Sequence, residues 1–108
     1  MRKWQIWMTL RLSGIKIPKE ELQSISESGK DASELVNALL LLKDSGLKSE
    51  LSFLISYWQK GGDVLNVATG LIFAKNQNYQ LDLKEAIRMD KNGKSISTVL
   101  AKRITMDS

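Results

Sequence analysis

Cysteine and histidine are both absent from this 108-residue sequence. Their absence excludes disulfides, thiol chemistry, imidazole bases and nearly all zinc sites, which removes a large part of enzyme chemistry. No apolar run approaches the roughly 20 residues that span a bilayer, and no secretory signal is visible. We therefore expect a protein of the cytoplasm that is not an enzyme and that binds no cofactor and no metal ion.

A strong excess of either charge is also lacking, because 16 Lys and Arg residues against 12 Asp and Glu residues leave a net charge of +4. A mildly basic chain suits an anionic lipid surface or a nucleic acid, without deciding between them. Hydrophobic residues make up 43% of the chain, which is enough for a modest core. Length and composition together predict one domain over residues 1–108.

One pattern is present three times, at an offset of 32 residues. Each copy has a glycine, then a good N-cap residue two positions later, then apolar residues at helical spacing. We name the helix after each cap the B helix, and the shorter helical pattern that precedes it the A helix. The glycine and cap pairs are Gly29 and Asp31, Gly61 and Asp63, and Gly93 and Ser95.

A second column of residues follows the same offset where each B helix should end. It holds Gly14, Gly46 and Asn78, which are the residue types that leave a helix in the left-handed conformation. Two helices per unit predict an all-α fold, with tandem helix-turn-helix repeats of about 32 residues stacked as a short right-handed-type α-array. About seven helices are expected.

The N-terminal segment, residues 2–13, fits either a strand or a helix when it is read alone. The 32-residue alignment favours a B helix that lacks its own A helix. The same alignment places Trp4 and Met8 on the face that packs onto the next unit. Gly70 lies inside the B helix after Asp63, where it costs about 1 kcal/mol relative to Ala, so we expect a neighbouring helix to approach it closely.

The remaining helices are predicted from caps and turn residues. The A helices are expected from about Pro18 to near Ser28, from near Ser49 to a stop before Lys60, and from the cap Asp82 to about Lys91. The B helices are expected from Asp31 to about Lys43, from Asp63 to a break at residues 76–78, and from Ser95 to about Thr105.

Two loops resemble ligand sites without meeting their requirements. Residues 90–96 begin like a calcium loop, but Ser95 and Ala101 stand where the glycine and the acidic ligand are needed. Residues 61–63 lack the Lys and Ser or Thr of a phosphate-binding loop. Both are better explained as turns that lead into a capped helix.

Tryptophans flanked by cations near the N-terminus are the sharpest functional signal. Such a helix suits a membrane interface or a groove on another protein, although packing in the core explains the tryptophans equally well. Aromatic residues at the end of the second A helix could also contact a partner, with core packing the favoured reading. The candidate contact residues are Trp4, Trp7, Arg2, Lys3, Arg11, Tyr57 and Trp58.

Several motifs, in order and nearly without gaps, resemble one segment of the bacterial flotillin-like (FloA-type) membrane scaffold proteins. Residues 91 and 92, Lys and Asn, depart from the Leu-Ala of that family. The matching stretches are residues 6–7, 13–17, 35–39 and 45–47, Tyr57 with residues 61–64, Val67 with residues 71–72, and residues 89–90 with 93–95.

The resemblance implies the helical region between a membrane anchor and a band domain, and thus a non-enzymatic scaffold element near the inner face of the cell membrane. Our first hypothesis is a module that binds a protein partner, another copy or an anionic membrane surface through the helix of Trp4 and Trp7. The alternative is a small basic adaptor that docks on RNA or a ribonucleoprotein, with nucleic acid the less favoured partner. An enzyme is the weakest hypothesis.

Overall fold

The computed structural model describes residues 3–15, 17–29, 31–47 and 51–107, without the side chains of residues 3, 51, 52 and 107. These ranges contain seven α-helices and no strand, so the all-α prediction is confirmed. The helices are α1 (Lys3–Leu12), α2 (Lys19–Glu27), α3 (Ser33–Asp44), α4 (Leu51–Gln59), α5 (Val64–Asn76), α6 (Leu83–Lys91) and α7 (Ile96–Asp107).

The B helices α1, α3, α5 and α7 pack in chain order, each against the next. The α3–α5 and α5–α7 pairs have the most extensive contacts. The A helices lie beside this row, with α2 against α1 and α4, and α6 against α5 and α7. The result is an elongated molecule of 47 × 26 × 17 Å.

Apolar side chains from every described helix join in one hydrophobic cluster, which runs from Ile6 to Leu100. Burial of apolar surface is the main force that holds such a row of short helices together. Among the described residues no polar or charged residue is buried. The largest fully buried side chains include Ile6, Leu10, Ile25, Leu35, Leu39, Leu42, Leu54, Ile96 and Leu100.

The turn residues have the backbone conformation that the offset predicts. Gly14, Gly46 and Asn78 have φ values of 80°, 71° and 56°. A positive φ is disfavoured for residues with a Cβ atom, and asparagine tolerates it better than most. The B helices α1, α3 and α5 therefore end at equivalent left-handed residues.

Two of the predicted caps are confirmed and one is wrong. The carboxylates of Asp63 and Asp82 accept hydrogen bonds from the backbone N–H groups of Asn66 and Glu85, at 3.1 and 2.8 Å. Asp31 instead precedes the helix, because its carboxylate binds the hydroxyl and the backbone N–H of Ser33, at 2.7 and 3.0 Å. These bonds close a local turn before α3 begins, and they lower the pKa of Asp31 below its usual value.

Other predicted helix starts are placed as follows. Ser95 immediately precedes α7, and its carbonyl accepts a hydrogen bond from the N–H of Val99 at 3.1 Å. Pro18 precedes α2 and serves as its N-cap residue. Ser49, the predicted start of the second A helix, lies outside the described residues.

Gly70 lies at a close approach between α5 and α7. A Cβ atom at this position would lie 2.4 Å from Cγ2 and 2.6 Å from Cβ of Ile96. Real side chains essentially never approach that closely, so only glycine fits. The predicted packing reason for this glycine is confirmed.

Candidate interaction surface

Helix α1 buries one face and exposes another. Ile6 and Leu10 are 1% and 2% exposed, whereas Trp4, Trp7 and Met8 are 55%, 45% and 44% exposed. A tryptophan that packs in a core is normally buried, because burial of its large ring contributes much free energy. The exposed face of α1 is therefore the first candidate for a contact surface.

The prediction that Trp4 and Met8 pack onto the next unit is wrong. In α1 the buried residues are Ile6 and Leu10. Ile6 is equivalent to Gly70, and Gly70 contacts Ile96 on the following B helix. The alignment gave the correct equivalences between helices but assigned the wrong face of α1 to the contact with the next unit. A periodic pattern does not say which neighbour each face of a helix meets.

Residues equivalent to Trp4 are buried in every later B helix. They are Val36, Ala68 and Leu100, all 3% exposed or less. Leu100 belongs to α7, which packs against α5 and α6, and no described helix follows it. The column of Trp4 thus faces helices that come earlier in the chain, and within the described ranges no helix precedes α1.

The exposed tryptophans border a recess between α1 and α2, which we name the Trp groove. Its cavity volume is about 570 Å³, and a second recess of about 530 Å³ adjoins it. Trp7, Ile17 and Leu22 border both. The Trp groove is lined by Trp4, Trp7, Ile17, Lys19 and Leu22, and the adjoining recess also by Leu10, Arg11, Gly14 and Ile15.

Cations surround this apolar recess. The guanidinium of Arg11 lies 5.0 Å from the centroid of the Trp7 ring, in a cation–π contact. Lys19 lines the groove, and the ammonium of Lys43 reaches Gly14 in the adjoining recess. No acidic side chain is among the described residues that line either recess. The surface therefore combines tryptophan with positive charge.

The other predicted contact residues are placed differently. Tyr57 and Trp58 are 7% and 4% exposed, and both belong to the hydrophobic cluster. Their burial agrees with the core-packing reading, so we leave them out of the surface. Arg2 and the side chain of Lys3 lie outside the described residues.

A hydrogen-bond network around Asp90 was not predicted. Its carboxylate accepts hydrogen bonds from the Tyr57 hydroxyl, from the Asn66 amide at 2.8 Å and from the Asp63 backbone N–H at 3.2 Å. Asn66 also accepts a hydrogen bond from the backbone N–H of Ile96, at 3.2 Å. Four helices, α4 to α7, thus meet at one carboxylate and one amide.

Three residues of the network lie in the stretches of the family resemblance. Tyr57, Asp63 and Asp90 all lie in those stretches, so the motif was a signal that could have revealed the contact. Burial first, and then the hydrogen bond to Asp90, raise the pKa of the Tyr57 phenol well above its usual value of 10.0. The network is structural, because its polar atoms are engaged with one another.

Neither a metal cluster nor a membrane span is found in the part of the chain that the structure describes. No three or more Asp or Glu side chains there are placed to hold a metal ion together. No helix there is both long enough and apolar enough to cross a bilayer. The Trp groove remains the most distinctive surface of these residues.

The chain is similar to a known flotillin-like protein. The flotillin-like protein FloA of Protochlamydia amoebophila (strain UWE25) is 31% identical over 96 residues. The aligned region covers 88% of this chain and 28% of that protein. No model of a known protein family matches the chain, and no solved structure matches it significantly. The resemblance seen in the sequence is confirmed: this chain is related to the FloA-type flotillin-like proteins.

Proposed function

We propose that the chain is a non-enzymatic helical scaffold module that works beside a membrane and uses the Trp groove as its contact surface. The observation that carries the proposal is the exposure of Trp4, whose equivalents are buried in every later B helix, together with the exposure of Trp7, whose equivalents are buried in α3 and α5. The relationship to flotillin-like proteins supports the scaffold role. The occupant of the groove would be a protein partner, another copy of the chain or an anionic lipid surface.

The composition of the groove suits binding better than catalysis. Tryptophan and arginine are the residues most enriched among those that dominate binding energy at protein interfaces. Tryptophan beside cations also suits the boundary between lipid headgroups and acyl chains. Arg11 and Trp7 already contact each other, so a partner would meet a surface whose side chains are partly ordered.

Co-sedimentation with vesicles, together with sedimentation velocity of the chain alone, tests this proposal. Native protein should bind anionic vesicles or self-associate, and Trp4→Ala with Trp7→Ala should lose that binding. Phe53→Ala is the matched control, because Phe53 is a large aromatic side chain that is 50% exposed on α4. Binding through tryptophan should survive high salt, whereas binding through phosphate contacts should weaken steeply.

Two results would count against the proposal. The first is a double variant that binds vesicles, or self-associates, as strongly as the native chain. The second is binding to RNA alone with a steep salt dependence, which would favour a basic adaptor instead.

A further inference from the structure

We infer that the Trp groove binds an amphipathic helix of a protein partner, and that this helix carries acidic residues beside its apolar stripe. The inference rests on the proposed function and names the class of partner. It does not require that the chain bind lipid. Shape, length and charge each support it.

The first argument is that helices cover the equivalent face elsewhere in the chain. Trp4 is equivalent to Val36, Ala68 and Leu100, which are all buried, whereas the equivalents of Trp7 are buried in α3 and α5 and exposed in α7. In α7, where Leu100 is buried, the described helices in contact are α5 and α6, both earlier in the chain. A helix is therefore the type of element that this face of a B helix accommodates.

The second argument is length. The A helices α2, α4 and α6 each have 9 residues, and α1 has 10. At 1.5 Å per residue these correspond to about 13 to 15 Å. A helix of two to three turns therefore matches the exposed face of α1 along its length, with apolar side chains three or four residues apart lying between Trp4, Trp7 and Leu22.

The third argument is charge. Arg11, Lys19 and Lys43 lie at or beside the two recesses, and α1 itself contains no acidic residue. A partner helix with Glu or Asp next to its apolar stripe would place its carboxylates against these cations. Electrostatic complementarity of this kind selects partners and speeds their association.

The same observations disfavour two other occupants. A second copy stacked head to tail would bring α7 to the groove, and the exposed residues of α7 include Lys102 and Arg103, which add like charge to that of Arg11. A flat lipid surface would reach the exposed tryptophans but not Leu22, which is 5% exposed at the base of the groove. A helix can present side chains to both the rim and the base.

Two synthetic peptides test the inference on the full chain. Each has about 18 residues, enough to allow a partly formed helix in water. Both carry leucine at helical spacing, flanked by glutamate in one peptide and by lysine in the other. We expect the glutamate peptide to bind at least about tenfold more tightly, from the difference between attraction and repulsion at two exposed cations. Fluorescence anisotropy of a dye-labelled peptide reports binding, because this signal is also available in the variant that lacks Trp4 and Trp7.

Charge reversal provides a sharper readout than loss of binding. Arg11→Glu with Lys19→Glu should reverse the preference, so that the lysine peptide binds more tightly. The matched control is Lys60→Glu with Lys102→Glu, since both lysines are exposed and neither lines the groove. This control should keep the native preference.

Each outcome decides between the proposals. Equal binding of the two peptides, or unchanged peptide binding after Trp4→Ala with Trp7→Ala, would overturn the acidic-helix inference. Binding of phosphatidylglycerol vesicles without binding of either peptide would also overturn it, while leaving the proposed function in place. If the double tryptophan variant matches the native chain in the peptide, vesicle and self-association assays, the proposed function fails as well.

Discussion

Apolar residues at equivalent positions of the 32-residue repeat have different surroundings in this chain. Trp4 and Leu100 are equivalent in the 32-residue alignment, yet Leu100 is fully buried and Trp4 is exposed. The difference comes from the neighbours, because α7 packs against earlier helices and no described helix precedes α1. A large apolar residue at an uncovered position is where a binding surface would be expected.

Gly70→Ala should lower the free energy of unfolding, although alanine is the better helix former. The substitution gains about 1 kcal/mol of helix propensity, but overpacking in a well-packed core typically costs about 1 to 3 kcal/mol. The clash involves Cβ of Ile96, which cannot move without its backbone, so the cost should exceed the gain. Urea denaturation, read from the shift in the midpoint, measures the net change.

A double-mutant cycle provides the control for this prediction. In an Ile96→Ala background the Cγ2 atom that meets the new methyl group is gone, so Gly70→Ala should cost less than in the native chain. A coupling energy of about 0.5 kcal/mol or more is expected for residues in direct contact. Stabilisation by Gly70→Ala alone would show that α5 and α7 are not so closely packed.

Helices α4 to α7 are joined by polar contacts as well as by the hydrophobic cluster. Asp90 on α6 accepts from Tyr57 on α4, while Asn66 on α5 contacts both Asp90 and the first turn of α7. Gly62 lets the ring of Tyr57 come close to the backbone, since a Cβ atom there would lie 2.3 Å from Cε2 of the ring. Directional bonds of this kind fix how neighbouring helices are oriented.

Tyr57→Phe should destabilise the fold by about 1.5 to 3 kcal/mol at neutral pH, the usual contribution of a hydrogen bond to a charged group. It should also change the alkaline pH dependence. The pKa of Tyr57 is raised in the folded state, so between its unfolded and folded values the unfolded chain has lost the proton that the folded chain keeps. Stability should therefore fall as the pH rises above about 10.

Urea denaturation between pH 7 and pH 11 tests this dependence, with Tyr79→Phe as the matched control. Tyr79 is half-buried and accepts a long hydrogen bond of 3.4 Å from Arg103. In the Tyr57→Phe chain the free energy of unfolding should fall less steeply as the pH rises, whereas the Tyr79→Phe chain should keep the native slope. An equally steep loss in the Tyr57→Phe chain would assign the pH dependence to other groups.

The molecule as a whole is a row of B helices with unlike ends. At one end α1 has an apolar, cation-bordered face, and at the other α7 carries Lys102 with the exposed Met106. Terminal units of stacked helical arrays need a polar outer face to remain soluble. The outer face of α7 is therefore more polar, and more like that of a terminal unit, than the outer face of α1.

The two faces of α1 should respond differently to substitution. Leu10→Ala should lower the free energy of unfolding by about 2 to 5 kcal/mol, as for other buried leucines. Trp4→Ala with Trp7→Ala should lower it by about 1.5 kcal/mol or less, because both side chains are about half exposed and the cation–π contact with Arg11 is weak at the surface.

Thermal and urea unfolding of the three chains compare these costs directly. Circular dichroism should show that the double tryptophan variant keeps its helix content, which is needed before a loss of binding can be interpreted. If the tryptophan substitutions cost as much as Leu10→Ala, the tryptophans contribute to the core and the Trp groove is not a free surface.

The sequence by itself determined the number and order of the helices and the left-handed turn residues. It also revealed the close approach at Gly70 and the relationship to flotillin-like proteins. These features are local or strictly periodic: a cap, a positive φ and an amphipathic stripe depend on residues within a few turns of one another. Asp31 shows the limit of such reasoning, because a side chain that can cap a helix can equally close a turn before it.

Only the tertiary structure decided which face of each B helix meets which neighbour. The alignment showed that Trp4 shares a column with Leu100, but not that this column faces earlier helices and is uncovered in α1. Likewise, Tyr57 and Asp90 are 33 residues apart, and their contact depends on how α4 and α6 are placed around α5. Burial and long-range hydrogen bonds arise from three-dimensional neighbours, which a one-dimensional pattern does not specify.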